Sequence, residues 1–263
     1  MPRRPALLCL FASAALAQTV PTYRAGRALD GIRVDGRLEE FSWAAAPRVS
    51  PFRLIRGADP TPKLATEAAM VWDDENLYVS FACRDTDPWG RMKTRDDHLW
   101  EEEVVEVFLD PDGDGQNYPE LEVSPHNNVV DRLIPRPRSG LQTSIPWDIA
   151  GLQTAVGRHA AGWIAEIAIP WKSLAGSGVS AAPKPGDRWR VGLYRIKRPG
   201  GPGKASQITR LLEEQKSASA ARQAEIERVL AQLRSTDEYS AWSPTRAERG
   251  FHDPERFGVV EFH

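Results

Sequence analysis

The stretch Leu99–Asp110, LWEEEVVEVFLD, constrains this chain more than any other. Val104, Val105, Val107, Phe108 and Leu109 form a β-branched and aromatic run that predicts a strand, and Glu106 stands in its middle. A carboxylate inside such a run is costly unless it is solvated, paired or used for binding. Trp100 lies on the approach to the same strand. An aromatic ring near an isolated carboxylate is an arrangement that takes sugars: the ring stacks on C–H groups and the carboxylate accepts hydroxyls. A Glu on the solvated face of a half-exposed strand accounts for the same letters.

The N-terminus, MPRRPALLCLFASAALAQ, has the parts of a secretory signal peptide. Arg3 and Arg4 precede the apolar run Ala6–Leu16, and Ala15-Leu16-Ala17 offers a cleavage site after Ala17. The expected organisation is a signal peptide at 1–17 and one domain at 18–263, secreted or periplasmic. The apolar run is too short to remain as a membrane anchor, and no integral membrane segment is expected elsewhere. Cleavage leaves Cys83 as the single thiol, so no internal disulfide forms and the fold relies on its core. A net charge of −2 without a Lys/Arg run argues against a nucleic-acid partner. Nine Trp against five Tyr is a count that either core packing or sugar-binding surfaces explain.

Short strands recur along the rest of the chain. Ala68–Trp72 and Leu77–Ala82, joined by Asp73-Asp74-Glu75-Asn76, read as a hairpin. Val104–Leu109 and Tyr118–Ser124 flank a Gly/Asp turn, and further strands are expected at 129–133, 152–156, 163–169, 189–196 and 257–262. Ile32–Gly36 reads as a short strand and turn, Leu38–Ala45 as a short helix, and Val259–Phe262 as a strand buried on both faces. The fold class this predicts is all-β, an antiparallel β-sandwich. One segment breaks the pattern. Residues 205–234 lack Gly and Pro and carry Ile208, Leu211, Leu212, Ile226, Val229, Leu230 and Leu233 at helical spacing. This predicts a helical insertion, one long helix or a hairpin, after a flexible Pro199–Gly203 hinge; it either packs on its own domain or docks a protein partner.

The order VDGRLEEFSW, VWDDENLYVSF, LWEEEVVEVFLD, GWIAEIAIPW and FHDPERFGVVEF resembles the family 9 carbohydrate-binding modules from about Ile32 to His263. The resemblance implies a jelly-roll-like sandwich that binds ends of cellulose and xylan chains, with two aromatic rings clamping a terminal sugar. Carried over, the rings fall on Trp100 and Phe251 and the hydroxyl acceptor on Glu106. An Arg of the family pattern is Glu122 here, and Phe251 is a smaller ring than the Trp it replaces. Trp89, on the loop Asp85–Gly90, is a further candidate for the cleft. The function implied is non-catalytic recognition of polysaccharide or oligosaccharide ends in carbohydrate catabolism.

Other chemistries have sequence support of their own. Asp110, Asp112 and Asp114, with Gly115 following, match the first half of a calcium loop. Its twelfth position is Leu121 rather than Glu, and a polar hairpin turn explains the same residues. Related modules carry structural calcium. Glu106, Glu120 and Glu122 supply the carboxylates a glycoside hydrolase needs, without fixing their separation. His98, His126, His159, His252 and His263 lack zinc spacing. Similar sandwiches of the DOMON type hold haem, for which Met70, Met92 and Lys93 are the available axial groups.

Overall fold

The computed structural model describes residues 19–136, 145–179 and 181–263; the expected signal peptide lies outside them. The elements in chain order are β1 (Thr22–Arg27), α1 (Phe41–Ala45), β2 (Arg53–Leu54), β3 (Thr66–Trp72), β4 (Asn76–Arg84), β5 (Val104–Asp110), β6 (Tyr118–Val123), β7 (Val129–Ile134) and β8 (Ile145–Pro146). Then follow β9 (Gln153–His159), β10 (Gly162–Pro170), β11 (Arg188–Lys197), α2 (Gly201–Gln215), α3 (Ala220–Arg234), β12 (Glu238–Ala241) and β13 (Gly258–Phe262).

The strands form two layers joined through β1. One runs β8-β7-β6-β5-β11-β13-β1 and the other β1-β3-β4-β10-β9. Thr22–Ala25 lie parallel to β13, and Gly26 and Arg27 lie parallel to the end of β3, so one short strand passes from sheet to sheet. The other pairings are antiparallel. Alternate residues from the two inner faces build the main core. Val105, Val107 and Leu109 of β5 meet Met70, Val79, Phe81, Trp163 and Ile167 of the second sheet there. The β-sandwich expected from the sequence is the fold observed.

Three local expectations are revised. Ile32–Gly36 is irregular rather than a strand, because Asp35 and Gly36 turn to donate their amides to Glu166. Val259 and Glu261 are half-exposed while Gly258, Val260 and Phe262 are buried, so β13 alternates and is covered on one face only. The hinge is shorter than expected: α2 starts at Gly201, with Pro202 in its first turn where a missing N–H costs nothing. The insertion itself is an antiparallel helical pair, α2 and α3, turning at residues 216–219. Ile226 and Leu230 of α3 are buried, whereas no residue of α2 is.

Glu166, in the middle of β10, ties down the segment over the outer face of the second sheet. It is fully buried and accepts from the Asp35 and Gly36 amides and from the Trp43 indole at 2.8 Å. Trp43 is itself fully buried against Ala69, Val71, Tyr78 and Ala168. Glu166→Ala strands these donors and opens a void, so it is expected to destabilise by roughly 3 kcal/mol. A urea melt should show a lower midpoint with an unchanged slope.

Candidate functional site

The outer face of the first sheet is not open to solvent. Val104 and Phe108 of β5 join Tyr118, Val130, Tyr194, Phe251 and Phe257 in a second apolar cluster. The register places Tyr194, Glu106, Glu122 and Val130 side by side across β11, β5, β6 and β7, and Phe108, Glu120 and Arg132 in the adjacent row. Glu106, Glu120 and Glu122 are 2 %, 3 % and 0 % exposed. Both carboxyl oxygens of Glu122, Oε2 of Glu120 and the Tyr194 hydroxyl have no hydrogen-bond partner among the described residues. Burial drives the Glu106 and Glu122 carboxyls well above the usual range. Neighbouring carboxylates push further in the same direction, against weaker pulls from Arg198 on Glu106 and Arg132 on Glu122. The three carboxyls that the sequence offers for hydrolysis share this covered face, in two adjacent rows.

Phe251 lies 8 % exposed in the same cluster. Its ring stacks on Tyr194 at 4.2 Å and meets the edge of Tyr239 at 6.0 Å. Tyr194 can lie flat because the residue at 192 is glycine: a Cβ there would come within 2.4 Å of the tyrosine ring. The face of Phe251 expected to meet a sugar thus lies against another aromatic side chain.

Trp89 and Trp100 sit on the long connection between β4 and β5, which buried charges hold in place. Glu102 accepts from the Arg91 and Met92 amides and pairs with the Arg91 guanidinium. Glu103 pairs with Lys197, which also reaches Asp85, and Asp85 pairs with Arg195 at 2.9 Å. Desolvation lifts the Glu103 carboxyl to about 7, with the Lys197 ammonium opposing it. The acidic triplet read in the sequence therefore divides. Glu102 and Glu103 are buried braces, and Glu101 alone is exposed. The Trp89 indole donates to the Arg198 carbonyl at 2.8 Å. The Trp100 ring is half-buried, stacked with His98 at 4.5 Å and lying 4.4 Å from the Arg132 guanidinium.

These two tryptophans form one wall of a cavity of about 360 Å³ under α2. Ile208 and Leu212 of α2 face them, and Tyr239 of β12 closes a third side. Arg56, Arg91, Arg198, Lys204 and Arg234 also line it, with Glu101 the one carboxylate among the lining residues. Asp237, buried beneath, pairs with both Arg198 and Lys204 at 2.6 Å and so fixes α2 against the sandwich. The structure brings Trp89 and Trp100 together here; Glu106, Glu122 and Phe251 do not line this cavity. Tyr239 and the α2 face were not anticipated. The one sequence signal for Tyr239 was its place in the apolar-polar stretch EYSAW just after the helices.

Two acidic groups have metal-like geometry. Asp110, Asp112 and Asp114 each bring an oxygen within 4.8 Å of the others. Asp110 is 1 % exposed; its Oδ2 accepts from the Gly115 amide and its Oδ1 has no hydrogen-bond partner among the described residues. Burial and the two neighbouring aspartates raise its carboxyl to about 6. In the second group, Asp96, Asp131 and Asp148, Arg95 already pairs with Asp131 and Asp148. Met70 lies in the core between the sheets and Met92 against the outer cluster, so the two thioethers considered for haem are not brought together.

Residues 34–194 match the model of the carbohydrate family 9 binding domain-like proteins. The chain belongs to this family. The match ends inside β11, so α2, α3, β12 and β13 of this family 9 domain lie beyond it. A carbohydrate-binding module of family 9 from Caldicellulosiruptor kristjanssonii, solved with cellotriose, superposes with a TM-score of 0.56 over 92 % of this chain and 93 % of its own, at 14 % identity. A carbohydrate-binding protein of Bacteroides uniformis, so described provisionally, gives 0.65 over 93 % and 100 % at 13 % identity. Exoglucanase XynX of Acetivibrio thermocellus is 26 % identical over 141 residues, which are 54 % of this chain and 12 % of that much longer protein.

The buried carboxyl row of this domain carries a pH signature. With a folded-state value above the unfolded one, Glu122 contributes its stability in full below about pH 4 and loses it as pH rises through the folded value. Glu122→Gln removes that loss. Thermal melts should show the variant melting roughly 2–4 °C above the wild type at pH 8 and no higher at pH 4.

Proposed function

We propose that this chain is an exported, non-catalytic protein that holds the end of a polysaccharide or oligosaccharide in the cavity beneath α2. The observation that carries this reading is the lining. The rings of Trp100 and Tyr239 line the cavity beside the polar heads of Arg56, Arg198 and Glu101, on a family 9 domain. Rings stack on the C–H faces of a pyranose while fixed donors and an acceptor meet its hydroxyls. A cavity roofed by a helix admits a chain end more easily than the middle of a polymer. The modules from Caldicellulosiruptor kristjanssonii that share the fold were solved with cellotriose and with glucose, which favours a β-glucan or related end as ligand. The leader-like N-terminus supports export. In this reading α2 is a wall of the site rather than a docking helix for a protein partner.

Isothermal titration with cello- and xylo-oligosaccharides tests the proposal. Wild type should bind in the micromolar to millimolar range, as expected of a few stacked rings and hydrogen bonds. Tyr239→Ala and Trp100→Ala should each weaken binding about tenfold or more while the fold still melts cooperatively. A folded wild type that binds no oligosaccharide overturns it.

We further propose that Asp110, Asp112 and Asp114 hold a calcium ion that braces the β5–β6 turn. The unpartnered Oδ1 of buried Asp110 is the supporting observation, since a hard cation is what an oxygen set of this kind accommodates. The ion would offset the cost of keeping Asp110 charged. Calcium should raise the melting temperature of the wild type at pH 7.5, lose that effect as pH falls through about 6, and have none on Asp110→Asn. An identical calcium response in wild type and variant would exclude this site.

A further inference from the structure

The charge of the cavity narrows the ligand beyond a neutral glucan or xylan end, an inference that rests on the reading of the cavity as the sugar site. Arg198 and Lys204 share the single carboxylate of Asp237, and Arg91 pairs with Glu102. Two further arginines have no carboxylate partner among the described residues. Arg56 enters from the segment after β2 and lies over the Tyr239 ring at 4.6 Å; Arg234 comes from the last turn of α3. Both are exposed, and both line the cavity with the rings that would stack on a pyranose. Arg198 adds a buried Nε with no hydrogen-bond partner among the described residues. Against these donors stands Glu101, whose side chain is 62 % exposed.

A neutral sugar meets such a surface with hydroxyls alone and leaves the spare guanidinium charge to water. A planar carboxylate matches a guanidinium fork through two parallel hydrogen bonds, and the partial shelter of a cavity strengthens the pairing. The contact of Arg56 with the Tyr239 ring holds the guanidinium beside that ring. We infer that the cavity selects glycans bearing a carboxylate, with a uronic acid residue seated between Arg56, Arg234 and the Tyr239 and Trp100 rings. Two of these four groups, Arg234 and Tyr239, lie after residue 194, beyond the part of the chain that the family model matches, while Arg56 and Trp100 lie within it. The preference thus arises where the helical pair and the strand that follows it meet Arg56 and Trp100 of the matched part.

The test is titration calorimetry of the full chain with matched sugars: glucose against glucuronate, galactose against galacturonate, and digalacturonate, with glucose 6-sulfate separating carboxylate from anionic charge in general. Each uronate should bind about tenfold or more tightly than its neutral partner, and that margin should shrink as salt is raised. The double variant Arg56→Gln/Arg234→Gln should bring the ratio below about twofold, while Arg188→Gln, outside the cavity, should keep it. Equal affinity for neutral and acidic partners overturns the inference and leaves the sugar-binding reading standing. Tighter binding of the sulfate than of the carboxylates overturns the uronate assignment. Binding of none of these sugars, nor of cello- and xylo-oligosaccharides, overturns both readings. Should the double variant fail to melt cooperatively, the wild-type ratio and its salt dependence decide.

Discussion

Strand β5 is buried on both faces, and much of the molecule follows from that. A strand in a two-layer sandwich ordinarily has one face in the core and one in water. Here the second face is covered by Phe251, Phe257 and their neighbours. Glu106 and Glu122, cross-strand neighbours on that face, lose their solvent and keep only the weaker pulls of Arg198 and Arg132. Two like charges side by side in an apolar layer are unfavourable, and protonation relieves the conflict. The carboxyl row is thereby withdrawn from surface chemistry, and polar groups able to meet a ligand are found where the covering ends.

That edge is shaped by charges of a different kind. Asp85, Glu103, Arg195 and Lys197 alternate in sign along a chain of contacts near 2.8 Å, so each buried charge has an opposite partner. Such a network contributes modestly to net stability, but breaking one member leaves an uncompensated charge inside. Its structural effect is to hold the connection that carries Trp89 and Trp100 without regular secondary structure along most of it. Asp237 does the same for the opposite wall by holding Lys204 of α2 and Arg198 at once. Two rigid walls, each set by a buried carboxylate, give a cavity whose rings need little ordering when a ligand arrives.

The inner layer was readable in the sequence because its signal is local. The β3–β4 hairpin and β5 follow from β-branched runs broken by Asp/Asn and Gly/Asp turns, and their observed limits differ from the expected ones by a few residues at most. Strands β1 and β12, like the two-residue β2 and β8, carry no such local signal. Each is short and rich in polar residues, and each is defined by partners from distant parts of the chain. Burial of the outer face was hidden for the same reason, since it depends on Phe251 and Phe257 returning more than a hundred residues after β5. Glu106 and Trp100 look like a pair in one dimension. In three dimensions one joins the covered row and the other the rim of the cavity. Glu166 shows the converse: a carboxylate in an apolar strand that serves as a buried acceptor for a loop far from any cavity.

The division of labour between the family 9 scaffold and the segment beyond it explains how a shared sandwich can carry a particular site. Residues 34–194 provide most strands of the two sheets, though not β1, β12 or β13, together with the ion network's acidic half and Trp89 and Trp100. The helical pair adds little to the core, since α3 buries only Ile226 and Leu230 and α2 buries nothing. A segment with so small a share in folding tolerates changes in its cavity-facing side chains at little cost in stability. Arg234, Ile208 and Leu212 are all of that type. Such a segment can therefore alter ligand preference while the sandwich beneath it keeps its packing, with Asp237 as the fixed point about which the roof is built.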